Sequence, residues 1–255
     1  MRSKSFFDVH NHIENYGEYK DIPALFKSNI NKDTGVLMMA MDTPTYLEAA
    51  KIEEKVHGAV AAFGIHPWRA HLYHDKTDEF EAHVRRAKIV GEIGMCAKWA
   101  PKESSPFQRE LFRFQLELAK KYGRPVSVHT VGTEKECLEI LRAADLKNVC
   151  IHWFHGTVEQ AKKYLDLGCY FSLGPDVGFS PEADELARFL PRERILLETD
   201  GAECFSWARE CKKSPWQFEP AAIKDVYYQA ARVRNEDFDT LALAVWENFF
   251  DFTLI

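Results

Sequence analysis

The chain has 255 residues, 46% of them hydrophobic, enough for one large α/β domain with a full core. A net charge of -6 and the lack of any lysine-rich run exclude a broad electrostatic footprint for nucleic acid, so such a partner would be held locally. No apolar stretch reaches membrane-spanning length, and an apolar run so close to Met1 is expected to leave no room for a secretory leader.

The first predicted strand, residues 5–9, runs into His10-Asn11-His12. Residues two apart on a strand share a face, so His10 and His12 are expected to project together as a ligand pair for zinc, manganese or iron. Further short apolar runs predict strands at 35–41, 59–65, 89–92, 125–129, 149–152, 170–173 and 195–198. The clearest helix is 107–122, where Phe107, Leu111, Phe114, Leu118 and Ala119 form a stripe at helical spacing. Gly123 ends it and Pro125 lies just beyond. Other helices are expected at 133–143, 157–167, 181–190, 220–234 and 238–250, the last capped by Asp237 or Asn235. Eight strands alternating with helices, spaced by roughly 20–45 residues, predict a single-domain (β/α)8 TIM barrel over residues 1–255. A doubly wound sheet is the alternative, but no glycine-rich phosphate loop follows the first strand.

Barrel active sites sit at the carboxyl ends of the strands. Those ends carry His10 and His12, Asp42, His66, Glu92, His129, His152 and Asp200. Any one of them fits a cap or a satisfied structural histidine. Together, so many buried ionisable groups are costly unless a cation neutralises them, which predicts a metal cluster.

The order of motifs resembles the TatD-like metal-dependent deoxyribonucleases, a branch of the amidohydrolase superfamily. The matching segments are Phe7-Asp8-Val9-His10-Asn11-His12, Gly64-Ile65-His66-Pro67, Val90-Gly91-Glu92-Ile93-Gly94 and Gln108-x6-Gln115-x3-Ala119. Pro125-Val126-x-Val128-His129, His152-Trp153-Phe154-x-Gly156, Tyr170-Phe171-Ser172, Leu196-Leu197-Glu198-Thr199-Asp200 and Asn248-Phe249-Phe250 follow. The resemblance implies two divalent ions (Zn, Mn, Mg or Fe). His10, His12 and Asp200 would hold the first, and Glu92 would bridge to a second held by His129 and His152. It implies catalytic roles for Asp200, as general base, and for Glu92. His66 would contact phosphate, and His155 would have a supporting or substrate role. The implied reaction is 3′→5′ exonuclease cleavage of DNA at single-stranded or frayed 3′ ends.

The chain departs from the family pattern at two places. Family members commonly carry Asp-Tyr where this chain has Cys96-Ala97, and Arg-Asn-x-Pro where residues 214–220 read Ser-Pro-Trp-Gln-Phe-Glu-Pro. Cys96 is expected to be a small filler. The six cysteines are scattered, with no Cys-x-x-Cys pair, which predicts reduced thiols in a cytoplasmic protein. Trp68, Trp99, Trp153 and Trp207 follow strand ends and are candidates for base stacking or for plain rim packing. Arg69, Lys98 and Arg209 would meet phosphates or form a solvated rim. Two other readings stay open: hydrolysis of a small-molecule amide, lactone or phosphoester, and a non-catalytic accessory subunit of a larger complex. Oligomeric state is left open.

Overall fold

Every strand runs parallel to its neighbours, because each connection carries the chain back along a helix. The computed structural model describes residues 5–17, 21–30, 34–210 and 220–255. The strands are β1 (Phe6–Asn11), β2 (Thr34–Met38), β3 (Ala59–Ala61), β4 (Val90–Gly94), β5 (Val126–His129), β6 (Val149–Ile151), β7 (Tyr170–Leu173) and β8 (Ile195–Leu197). Each overlaps a run expected from the sequence. The ladder runs β1-β2-β3 and β4-β5-β6-β7-β8. Phe63 joins the two parts, donating to Ile89 O at 3.2 Å and accepting from Gly91 N at 2.9 Å. At the other seam, Asp200 N donates to His10 O at 2.9 Å. The architecture is a (β/α)8 barrel.

The helices are α1 (Ile22–Asn29), α2 (Thr43–Glu53), α3 (Ala70–Tyr73), α4 (Phe80–Arg86), α5 (Ser105–Tyr122), α6 (Glu134–Ala144), α7 (Val158–Leu165), α8 (Pro181–Phe189), α9 (Ala202–Ala208), α10 (Ile223–Arg234) and α11 (Phe238–Thr253). Five of them, α1 to α4 and α9, were not expected. The signals for two were present: Asp21 and Asp42 each precede a proline in the first turn, and each accepts a backbone N–H as helix cap. Asp42, expected among the site residues, is thus held by Thr45 as the cap of α2. Asp237 caps α11, accepting from Thr240 N at 2.9 Å. Asn235 instead ends α10 in the left-handed region, at φ 51°.

Alternation along the strands separates two apolar layers. Val36, Met38, Val126, Val128, Ile151, Phe171 and Leu197 belong to the core shared with the helices. Val9, Leu37, Met39, Ala62, Ile89, Cys150 and Leu196 form the other layer, against which α11 lays Phe249 and Phe252. Phe249 stacks on Phe7 at 3.8 Å, so α11 closes the amino-terminal end of the barrel and polar groups are left to the opposite end. Asn248 locks that helix by donating to Arg192 O and Ile195 O, at 2.7 and 2.8 Å. Among the described residues, no helix is long and apolar enough to cross a membrane.

The two glutamines of α5 act on the site end. Gln115 accepts from Ile65 N at 2.7 Å and donates to Ile65 O at 3.2 Å, fixing the peptide before His66. Gln108 accepts from Cys96 N at 2.9 Å. Gln115→Leu is expected to lower stability by about 1–3 kcal/mol, because both polar groups of a buried peptide lose their partner. Urea unfolding of the purified variant checks this, and an unchanged midpoint would show the glutamine to be dispensable.

Candidate metal centre

Glu92 is 1% exposed and stands at the centre of five imidazoles. Its Oε2 lies 3.1 Å from His10 Nε2 and 2.8 Å from His12 Nε2. Its Oε1 lies 2.7 Å from His129 Nδ1, 3.1 Å from His152 Nε2 and 3.3 Å from His66 Nε2. Asp200 Oδ1 is 3.7 Å from His10 Nε2 and 3.6 Å from His12 Nε2. One carboxylate thus divides the histidines into two sets, one on each oxygen. The six residues read as ligands from the sequence converge on one point, and His10 and His12 meet with their Nε2 atoms 3.2 Å apart.

The outer nitrogens explain the ring orientations. His152 Nδ1 is 2.9 Å from Glu198 Oε1, and His10 Nδ1 is 3.0 Å from Ser127 Oγ. His12 Nδ1 lies 3.2 Å from Glu14 Oε1, an ion-pair distance without hydrogen-bond geometry. An acceptor on Nδ1–H leaves the Nε2 lone pair facing inward, the form that binds a metal. His66 is arranged the other way. Its Nδ1 accepts from Trp68 N at 3.1 Å, so the neutral ring carries its proton on Nε2 and faces Glu92 as a donor. Sequence reasoning missed Glu198 and Ser127 as orienting groups. Glu198 stood in a quoted motif, but nothing in its spacing told that its carboxylate reaches back to His152.

Electrostatics follows the geometry. Burial alone would raise the Glu92 carboxyl, yet the imidazoles of His66, His152 and His10 hold it well below the ordinary carboxylate range. Burial lowers His10 strongly and brings His66 to about 4. Burial raises Asp200, against the opposing pull of His12 and His152.

The end of β8 is clamped to β1 through Asp8, which accepts from Thr199 N at 3.0 Å, Thr199 Oγ1 at 2.5 Å and Asn11 Nδ2 at 3.0 Å. Burial pushes the Asp8 carboxyl up to about 6. One residue on, Asp200 takes the left-handed region at φ 56°, a conformation Asp tolerates better than most residues. Asn15 Nδ2 holds its carbonyl at 3.0 Å.

The donor set fits a divalent cation. Asp200 Oδ1 is buried without a hydrogen-bond partner, which is costly unless a ligand supplies one. His10, His12 and Glu92 bring one ligand atom each within 4.8 Å of one another, and so do His66, Glu92 and His129. The tautomer of His66 makes it the poorer ligand of its group.

A cavity of about 500 Å³ opens onto the centre, and Trp68, Arg69, Trp99, Trp153, His155 and Trp207 border it. Arg209, a candidate for a phosphate contact or a solvated rim, is engaged by the protein itself: Nε donates to Pro175 O at 2.7 Å, Nη1 pairs with Asp225, and the guanidinium lies 4.1 Å over Phe205. Lys98 lies 5.1 Å over Trp99, and Arg69 is 3.9 Å from the Asp42 carboxylate. Residues 214–219, where the sequence departs from the family pattern, lie outside the described residues.

Cys96 is buried, and burial would raise its thiol, but the neighbouring His129 imidazole brings it to about 7. Cys96→Ala is expected to hold kcat/KM within a few-fold, as for a filler that makes no contact unique to the transition state. A loss of several orders of magnitude would assign the thiol a part in the chemistry.

A parallel barrel carrying a buried histidine–carboxylate cluster at the carboxyl ends of its strands defines a metal-dependent hydrolase. The TatD related DNase family profile matches residues 7–253, and the chain belongs to that family. It is 26% identical over 253 residues to the uncharacterized metal-dependent hydrolase YabD of Bacillus subtilis (strain 168), covering 95% of this chain and 96% of that one. It is 29% identical over 184 residues to the 3'-5' ssDNA/RNA exonuclease TatD of Edwardsiella piscicida, covering 69% and 71%. The crystal structure of YjjV, a TatD homolog from Escherichia coli K12, superposes with a TM-score of 0.81 at 21% identity over the whole of both chains.

Proposed function

We propose that this hydrolase cleaves phosphodiester bonds at single-stranded or frayed 3′ ends of DNA, working 3′→5′ with two divalent ions. The observation that carries it is the division of histidines between the two oxygens of Glu92. His10, His12 and Asp200 would hold one ion, His129 and His152 the other, and Glu92 both. Bound there, paired divalent ions supply Lewis-acid charge and lower the pKa of water. The Asp200 carboxylate would take the proton of the attacking water on the oxygen not given to the ion. His66 Nε2–H donates to a non-bridging phosphate oxygen, a role its tautomer suits. Trp68, Trp153 and His155 shape the pocket around the scissile group. The relative named as an exonuclease on single-stranded DNA and RNA supports this substrate class. The free thiols of Cys96, Cys137, Cys150, Cys169 and Cys204 support a cytoplasmic setting.

The test is incubation of the pure protein with end-labelled single- and double-stranded DNA, with Mg²⁺, Mn²⁺ or chelator. Stepwise shortening from the 3′ end, abolished by chelator, is expected. His66→Ala should lower kcat/KM on DNA by about 10- to 150-fold, the loss of one hydrogen bond to a charged group, and leave an ester panel unaffected. DNA left intact while an amide or lactone is turned over would replace the nuclease by a small-molecule hydrolase.

A further inference from the structure

Of the four tryptophans that follow strand ends, the structure turns two inward and leaves two open. Trp153 is 7% exposed, and its Nε1 donates to Asp176 Oδ1 at 2.8 Å, so its ring is wall. Trp68 is half-buried, edge-on to His66 with ring centres 5.2 Å apart. Trp99 and Trp207 are 37% and 62% exposed. They meet edge to face with centres 6.0 Å apart, and both border the metal cavity. Trp207 also stands at 77° to Trp153, 6.0 Å away. His155 fills the angle behind them, 5.5 Å from Trp99 and 5.4 Å from Trp153. The result is a corner of aromatic faces, open to solvent and contiguous with the proposed reaction centre. Leaving two large indoles exposed beside a cavity is unfavourable for the free protein, and such patches mark ligand surfaces.

Charge decides which part of a nucleotide fits the corner. Beyond Trp207 lies a second cavity of about 760 Å³ that Asp176, Glu203 and Glu210 line. Carboxylates there repel a phosphate chain. Lys98 stands over Trp99, and Arg69 borders the cavity that opens onto the metal centre. The backbone is therefore drawn toward the cations, and a neutral π-face is what the corner accepts.

We propose that Trp99 and Trp207 form a stacking corner for the terminal nucleobase, with the strand leaving past Arg69 and Lys98. This rests on the nuclease reading above. It makes an unstacked terminal base a condition of efficient binding, so a blunt duplex end must fray before it is bound.

The test compares metal-replete wild type, Trp99→Ala, Trp207→Ala and Trp207→Phe on two single-stranded oligonucleotides that differ only in the loss of the terminal base from one. Wild type is expected to favour the complete end by about 5- to 100-fold in kcat/KM. Both alanine variants should lose most of that preference, chiefly through KM on the complete end, while Trp207→Phe keeps it. Indole fluorescence gives a readout without any variant: the complete oligonucleotide should quench it more than the abasic one. Equal cleavage of both ends by wild type, or alanine variants that keep the preference, would overturn the stacking corner and leave the nuclease standing. A wild type that cleaves neither oligonucleotide removes both.

Discussion

Asp200→Asn is expected to lower kcat by ~10²–10⁴-fold, the range a positioned general base contributes. The amide keeps the size of the side chain and its place at the left-handed turn after β8, where φ is 56°. It removes the oxygen that can take a proton beside His10 and His12. The loss should fall on kcat more than on KM, because the proton moves only as the bond to phosphorus forms. Elemental analysis belongs with the kinetics, since Asp200 is also a proposed ligand. A variant with full metal content and near-wild-type kcat would mean that another group takes the proton.

Glu92→Ala is expected to empty both metal positions together. Its two oxygens face different histidine sets, so a single substitution removes a ligand from each. Even outer groups that only orient a ligand are worth ~10–100-fold in metal affinity, so loss of a shared ligand should exceed that at both positions. Wild type purified without chelator should carry more than one divalent ion per chain, and Glu92→Ala well under one. Activity should fall with occupancy and resist rescue by excess metal. Retention of one tight ion in the variant would show that Glu92 serves one position and that the paired centre is wrong.

Much of this site could be read from the chain because ligands in a parallel barrel share one local rule. Residues at or just beyond the carboxyl end of a strand face the reaction side. His129 and His152 obey it, as do His10 and His12. The rule also admits false members. Asp42 stands at such a position, yet the following Thr43-Pro44-Thr45 makes it a helix cap, its carboxylate accepting from Thr45 N at 3.1 Å. Arg209 was misplaced for a related reason: its distant partner Asp225 lies on α10, and no local pattern reveals a pairing between segments.

Sequence by itself determined the eight strands and six of the eleven described helices, and the family resemblance it carries picked out the six residues grouped at Glu92. Period, caps and glycine stops are properties of neighbouring residues and survive without knowledge of the fold. Only the tertiary structure decided how those six residues divide between Oε1 and Oε2. It alone showed that Trp68 N fixes the proton of His66 on Nε2, and that Glu198 and Ser127 meet the outer nitrogens of His152 and His10. It also separated the open indoles of Trp99 and Trp207 from the buried one of Trp153. These are contacts of a few ångströms between groups far apart in the chain, and burial and hydrogen-bond geometry exist only once the barrel has closed.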